Sequence, residues 1–128
     1  MNTDPIADLL TRMRNAVKAR QQKTVAPYSK LKVSILEVMK KHHFISEFQV
    51  VKNSKSFNEI QIELNPDIKE LSLKRVSKPG QRIYIKKGDI KPVLNGYGIS
   101  IVSTPNGVMT GSEAIKAGVG GEYICQIW

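Results

Sequence analysis

A chain of 128 residues, 41% of them hydrophobic, can bury about two-thirds of its unfolded surface in one core or two small abutting cores. Its formal net charge of +9 favours polyanionic partners, nucleic acid above all. A single cysteine excludes an internal disulfide, and no apolar run approaches the roughly 20 residues of a membrane span.

Asp4-Pro5 predicts a helix start, with Asp4 as cap and Pro5 in the first helical position. The residues before it lack a basic region followed by an apolar run, so no secretory signal is expected. Ile6, Leu9, Leu10, Met13 and Val17 recur at helical spacing and make one apolar stripe. Arg12, Arg14, Lys18 and Arg20 lie mostly off it. Each alone reads as a solvated charge; as a group with no acid after Asp8 they point to phosphate. Thr24 to Tyr28 is β-prone, with Pro27 pushing it to an edge or a strand end. Ser29 then caps a second helix with apolar positions Leu31, Ile35, Val38 and Met39. From Arg12 to Lys41 there are nine Lys or Arg against one acid, Glu37. A basic amphipathic helix can also lie on an anionic membrane. This stripe lacks aromatics and reads as core, so no membrane partner is expected. Arg14, Asn15, Lys30 and Lys32 are the candidates for tracking a phosphate backbone. His42-His43 closes the helix. Adjacent residues point to different sides and no carboxylate or cysteine cluster joins them, so a cationic helix end is the better reading than a metal ligand.

Phe44 to Val51 and Phe57 to Leu64 predict two strands joined by a turn over Lys52 to Ser56. Ile60, Ile62 and Leu64 alternate with Gln61 and Glu63, giving one buried and one wet face. Asn65-Pro66 breaks the pattern and marks a domain boundary. Beyond it, Leu71 to Val76 and Arg82 to Ile85 read as strands around the turn Lys78-Pro79-Gly80. Asp89 is placed as the cap of a short turn through Val93 and Leu94, and Asn95-Gly96 as a tight turn. Ile99 to Thr104 is a further strand. Thr110 caps a short helix over Ser112 to Ala117, Glu113 reaches back to it, and Gly118 stops it. Gly120-Gly121 allows close backbone approach, and Glu122 to Trp128 is the last strand, with Cys125 as a core or sheet-face thiol. The expected class is α+β, in two small abutting subdomains. Residues 1–65 form a basic α-β-α-β-β unit, and residues 66–128 a mostly antiparallel β unit with a short helix.

The most informative stretch is Ser103-Thr104-Pro105-Asn106-Gly107. It offers donors and acceptors at close backbone range and carries no charge, base or metal ligand. No Ser-His-Asp or Cys-His pattern has workable spacing elsewhere. Gly118-Val119-Gly120-Gly121 lacks the Lys-Ser/Thr of a phosphate loop and precedes a strand rather than a helix. No catalytic residue, cofactor, metal or small-molecule substrate is expected. Against RNA, small hydroxyls suit the shallow minor groove and its 2′-hydroxyls. Asn106 can pair with a base edge, Gly107 admits close backbone, and Tyr84 can stack on a base or ribose.

Three strings carry a family resemblance: Gly96-x-Gly98-Ile99; Val102-Ser103-Thr104-x-x-Gly107-Val108-Met109-Thr110-x-x-Glu113-Ala114; and Gly118-Val119-Gly120-Gly121-Glu122. With their fixed spacing they resemble the signature region of ribosomal protein eight of the small subunit. Asp4 to Ala16 resembles the family's opening helix, and Ser77-Lys78-Pro79-Gly80-Gln81-Arg82-Ile83-Tyr84 its middle turn and strand. The likeness spans nearly the whole chain and is weakest from about Lys52 to Glu70. It implies a non-catalytic, structural component of the small ribosomal subunit. Its partners would be an irregular stem in the central domain of small-subunit rRNA and neighbouring ribosomal proteins. The implied location is the cytoplasm, or an organelle with its own ribosomes. Residue by residue, the implied contacts are Ser103, Thr104, Asn106 and Gly107, with Tyr84, Gly121 and Glu122 beside them. Glu122 fits as a brace for the loop, accepting from an N–H or a hydroxyl. Pro105 departs from the pattern, which usually has another hydroxyl residue there. The alternatives are a free-standing regulatory RNA-binding protein and a small nucleic-acid-modifying enzyme.

Overall fold

A computed structural model of the chain describes residues 4–91 and 98–128; the expected turns at Val93-Leu94 and Asn95-Gly96 lie outside the described residues. The chain divides into two compact units, Asp8–Leu71 and Ser72–Trp128, the latter joined by the N-terminal residues through Ala7. The division falls after Leu71 rather than at Asn65-Pro66. The physical reason is local: the Asn65 side chain donates to the His43 carbonyl at 2.7 Å and accepts the Asp67 N–H at 2.9 Å, tying that turn to the first unit. Ser72 instead exchanges two backbone hydrogen bonds with Trp128.

The first unit runs α1 (Pro5–Lys18), β1 (Lys23–Pro27), α2 (Lys30–Lys41), β2 (Ile45–Lys52) and β3 (Asn58–Leu64), the expected α-β-α-β-β order. The caps are those read from the sequence. The Ala7 N–H donates to Asp4 Oδ1 at 3.2 Å, and the Lys32 N–H donates to Ser29 Oγ at 3.2 Å. The strands form an antiparallel sheet in the order β1-β3-β2. Leu9, Leu10 and Met13 of α1, Ile35, Leu36 and Met39 of α2, and Ile60 and Ile62 of β3 are fully buried. Each contributes about 1.5–3 kcal/mol by leaving water. Leu31 stands exposed where the stripe expected it inside, and Leu36 takes a core position in its place.

The second unit holds β4 (Leu73–Arg75), β5 (Tyr84–Ile85), a single 3-10 turn (Lys87–Asp89), β6 (Ile99–Thr104), β7 (Gly107–Thr110), α3 (Gly111–Ala117) and β8 (Gly121–Ile127). Its antiparallel sheet has the order β4-β8-β6-β7, and β5 also pairs with β8. The strand β7 is additional to the expected elements: Gly107 to Thr110 folds back on β6 instead of forming loop. Ile101, Val102, Ala114, Ile124, Cys125 and Ile127 form the core. Burial pushes the Cys125 thiol up to about 12, against a smaller opposing pull from Arg75. Thr110 and Glu113 close the expected capping box on α3. Among the described residues no helix is long and apolar enough to cross a membrane.

The helices share one way of ending. Arg20, His43 and Gly118 follow α1, α2 and α3 with φ of 57°, 65° and 71°. In each case the left-handed residue donates three residues back and its successor five back, as in Gly118 N–H to Ile115 and Val119 N–H to Ala114.

Candidate nucleic-acid interface

The Ser103–Gly107 stretch is the tip of the β6–β7 hairpin. Thr104 pairs with Gly107, and Pro105 and Asn106 form the bend. Gly107 has φ 114°, while neither Pro105 nor Asn106 has positive φ, so the left-handed backbone the bend needs falls on the glycine that pairs with Thr104. Proline presets the backbone at the first bend position. The Thr104 hydroxyl donates to the Gly107 carbonyl at 2.8 Å and accepts the Asn106 N–H at 3.1 Å. Thr104 is 8% exposed, so its hydroxyl braces the turn and has one acceptor lone pair left. Pro105, Asn106 and Gly107 are exposed, and Ser103 is half-buried.

Register then builds a surface row. Between β6 and β8 a bulge leaves Ile124 unmatched, so Ser103 lies opposite Glu122 instead of Tyr123. Glu122 in turn lies opposite Tyr84 of β5. Opposed residues project to one face. Ser103, Glu122 and Tyr84 therefore stand side by side across three strands, with Tyr84 72% exposed. Gly121 makes this spacing possible: a Cβ there would run into the Ser103 carbonyl oxygen.

Glu122 is a brace, but for a different loop from the one expected. Its Oε2 accepts the Ser77 hydroxyl at 2.5 Å and meets Arg82 Nη1 at 3.0 Å. Ser77 is fully buried and accepts the Ile83 N–H at 3.1 Å. The carboxylate thus fixes the segment that carries Tyr84. Burial alone would raise its pKa; the Ser77 hydroxyl and the Arg82 and Arg75 guanidiniums outweigh that and hold it below the ordinary value. Ser77 and Arg82 were not singled out from the sequence, although both lie in the Ser77–Tyr84 string.

The cationic candidates lie in the other unit. Arg14, Asn15 and Lys30 are exposed. Lys32 corrects the expectation: it is 3% exposed and its ammonium donates to the Pro27 carbonyl at 3.0 Å. Burial lowers its pKa, opposed by Asp8 and reinforced by Arg12. It ties α2 to the end of β1 and is withdrawn from any phosphate. Arg12 is likewise engaged, with Asp8 at 2.9 Å and the Val25 carbonyl at 3.0 Å. Among the described residues no three of His, Cys, Asp and Glu gather as a metal site.

The family model described as ribosomal protein S8 matches residues 4–128. The small ribosomal subunit protein uS8 of Leptospira biflexa is 45% identical, over 98% of each chain. That of Roseiflexus castenholzii is 49% identical over 98% of this chain and 97% of its own. That of Dehalococcoides mccartyi is 44% identical over the whole of both. From its opening cap to its last strand, the chain belongs to the ribosomal protein S8 family.

Proposed function

We propose that the chain is a non-catalytic, structural constituent of the small ribosomal subunit that binds an irregular stem in the central domain of its rRNA and helps order that region during assembly. The observation that carries this reading is the row Ser103–Glu122–Tyr84 beside the exposed Asn106-Gly107 bend. It sets a hydroxyl, an amide, open backbone and an aromatic face together, with its one acid neutralised by Arg82. Such a set reads displaced bases and 2′-hydroxyls in a shallow groove, while base stacking on an aromatic adds about 1–3 kcal/mol. Pro105 supplies neither a hydroxyl nor an N–H, so hydrogen bonding falls to Ser103, Asn106 and the backbone near Gly107. Arg14, Asn15 and Lys30 contribute phosphate adhesion, which positions without specifying.

Crosslinking the protein in cell extract and sequencing the attached RNA tests this. The expected product is one small-subunit rRNA stem, joined through residues 103–107. RNA spread over many transcripts, or a protein that does not sediment with ribosomal particles, would overturn it in favour of a free regulatory binder.

A further inference from the structure

The first unit carries a cleft of its own. It opens where α1 ends, β1 begins and the chain turns away from β3, and every residue lining it lies within Asp8–Leu71. Its volume of about 510 Å³ falls within the roughly 300–1,000 Å³ of small-molecule sites. Val17 and Leu64 are buried and form its floor, while Arg20, Gln21, Gln22 and Lys69 are exposed at its rim. Backbone holds the walls in place. The Gln21 N–H donates to the Ala16 carbonyl and the Leu64 N–H to the Gln22 carbonyl, both at 2.9 Å. The Asn65 side chain fixes the facing turn by bonding His43 on one side and Asp67 on the other. A site built before its ligand arrives loses little freedom on binding.

Three cations and one acid line the cleft: Arg20, Lys23 and Lys69 against Glu63. Lys23 faces Glu63 at 3.8 Å, a long pair between exposed groups. Lys69 reaches only the Pro66 carbonyl, at 3.5 Å. The Arg20 guanidinium has no hydrogen bond or ion pair among the described residues, so its fork of donors is open. Its place at the rim is set by the left-handed backbone that ends α1, with φ 57°. A bare anion satisfies Arg20 and Lys69 and leaves the apolar floor and the two glutamines without a role. A nucleotide engages all of them. Its phosphate accepts from Arg20 and Lys69, its base covers Val17 and Leu64, and the Gln21 and Gln22 amides donate and accept along the base edge. We propose that this cleft holds a single nucleotide, with its phosphate on Arg20 and Lys69. An unstacked residue of rRNA and a free mononucleotide share that chemistry. The site is additional to the Ser103–Glu122–Tyr84 row and stands on its own residues, whatever the hairpin binds.

Amide NMR shifts of the full chain, titrated with the four ribonucleoside 5′-monophosphates, test this, with the nucleosides and inorganic phosphate as controls. The expected shifts gather at residues 20–23 and 64–69 and saturate at lower concentration with a nucleotide than with either control. Arg20→Gln should weaken the nucleotide about tenfold. Lys55→Gln removes the same charge from the turn between β2 and β3 and should change nothing. Equal affinity for phosphate alone would reduce the cleft to an anion site and overturn the proposal. So would an absence of saturable shifts, or an Arg20→Gln chain that binds like its parent. A photo-reactive phenylalanine in place of Gln21, in chains assembled into small-subunit particles, separates the two sources. An RNA adduct assigns the nucleotide to rRNA; no adduct, beside binding in solution, assigns it to a free mononucleotide. A peptide adduct from an acidic segment would overturn the proposal. A chain that binds nucleotide in solution yet never enters particles would sink the ribosomal reading and leave this site standing.

Discussion

Glu122 shows how one carboxylate sets the position of residues on two neighbouring strands. It lies opposite Ser103 and Tyr84 and holds the Ser77 hydroxyl and Arg82 guanidinium. Glu122→Gln keeps the shape but exchanges a charge-assisted hydrogen bond for a neutral one, at a cost of about 1 kcal/mol. Because the folded pKa is depressed, the wild-type contribution is complete above the ordinary carboxylate value of 4.5 and is lost as pH falls through the folded value. Urea unfolding midpoints measured against pH should therefore converge for parent and variant in acid and separate near neutrality. Were the carboxylate merely repelling phosphate, the variant would bind RNA more tightly; with a bracing role it binds more weakly. Gly121 gives a sharper case. Adding a methyl there forces it against the Ser103 backbone, which a strand paired on both sides cannot easily move. Gly121→Ala should cost about 1–3 kcal/mol, and RNA affinity should fall with it, read by thermal unfolding and filter binding.

Among the elements, the helix ends show where sequence reading works and where it stops. Asp4, Ser29 and Thr110 announce their helices because short polar side chains satisfy the first N–H groups, and each cap was legible. Gly118 announces an end because glycine accepts a left-handed backbone without strain. Arg20 and His43 adopt the same conformation without that advantage, so nothing in their identity marked them. His43→Gly should relieve part of a left-handed penalty of about 1–2 kcal/mol, offset by the greater freedom of glycine in the unfolded chain. A higher urea midpoint with an unchanged slope would show it; a lower one would mean the imidazole holds the turn. The strand β7 was not legible because its apolar content is only Val108 and Met109, too short for a period. The bulge at Ile124 was hidden for a different reason: register depends on which strands pair, and local pattern does not record it. The hairpin tip itself stood out early, since Thr-Pro-Asn-Gly is turn chemistry. Its inward-turned Thr104 hydroxyl and the buried Lys32 required tertiary packing to be seen.

For the molecule as a whole, the positive charge is shared between the two units: residues 8–71 hold 12 Lys or Arg against seven acids, and residues 1–7 with 72–128 hold eight against four. Arg14 and Lys30 lie in Asp8–Leu71, while the Ser103–Glu122–Tyr84 row lies in the unit containing Ser72–Trp128. With Lys32 withdrawn, Arg14 and Lys30 are the cations left among the candidates, so about two phosphates are neutralised by them and log affinity for the rRNA stem should fall against log salt with a slope of about −1.8. Titration over a range of salt concentrations checks this, and a flat response would remove the electrostatic contribution. The sealed thiol in β8 has a use of its own. Cys125 sits at 0% exposure with its ionisation pushed to about 12, so near-neutral labelling reagents find no thiolate while the sheet is shut. Its rate of alkylation is then a clock for the breathing of the sheet that holds β8, and rRNA bound as proposed should slow that clock without touching the sulfur.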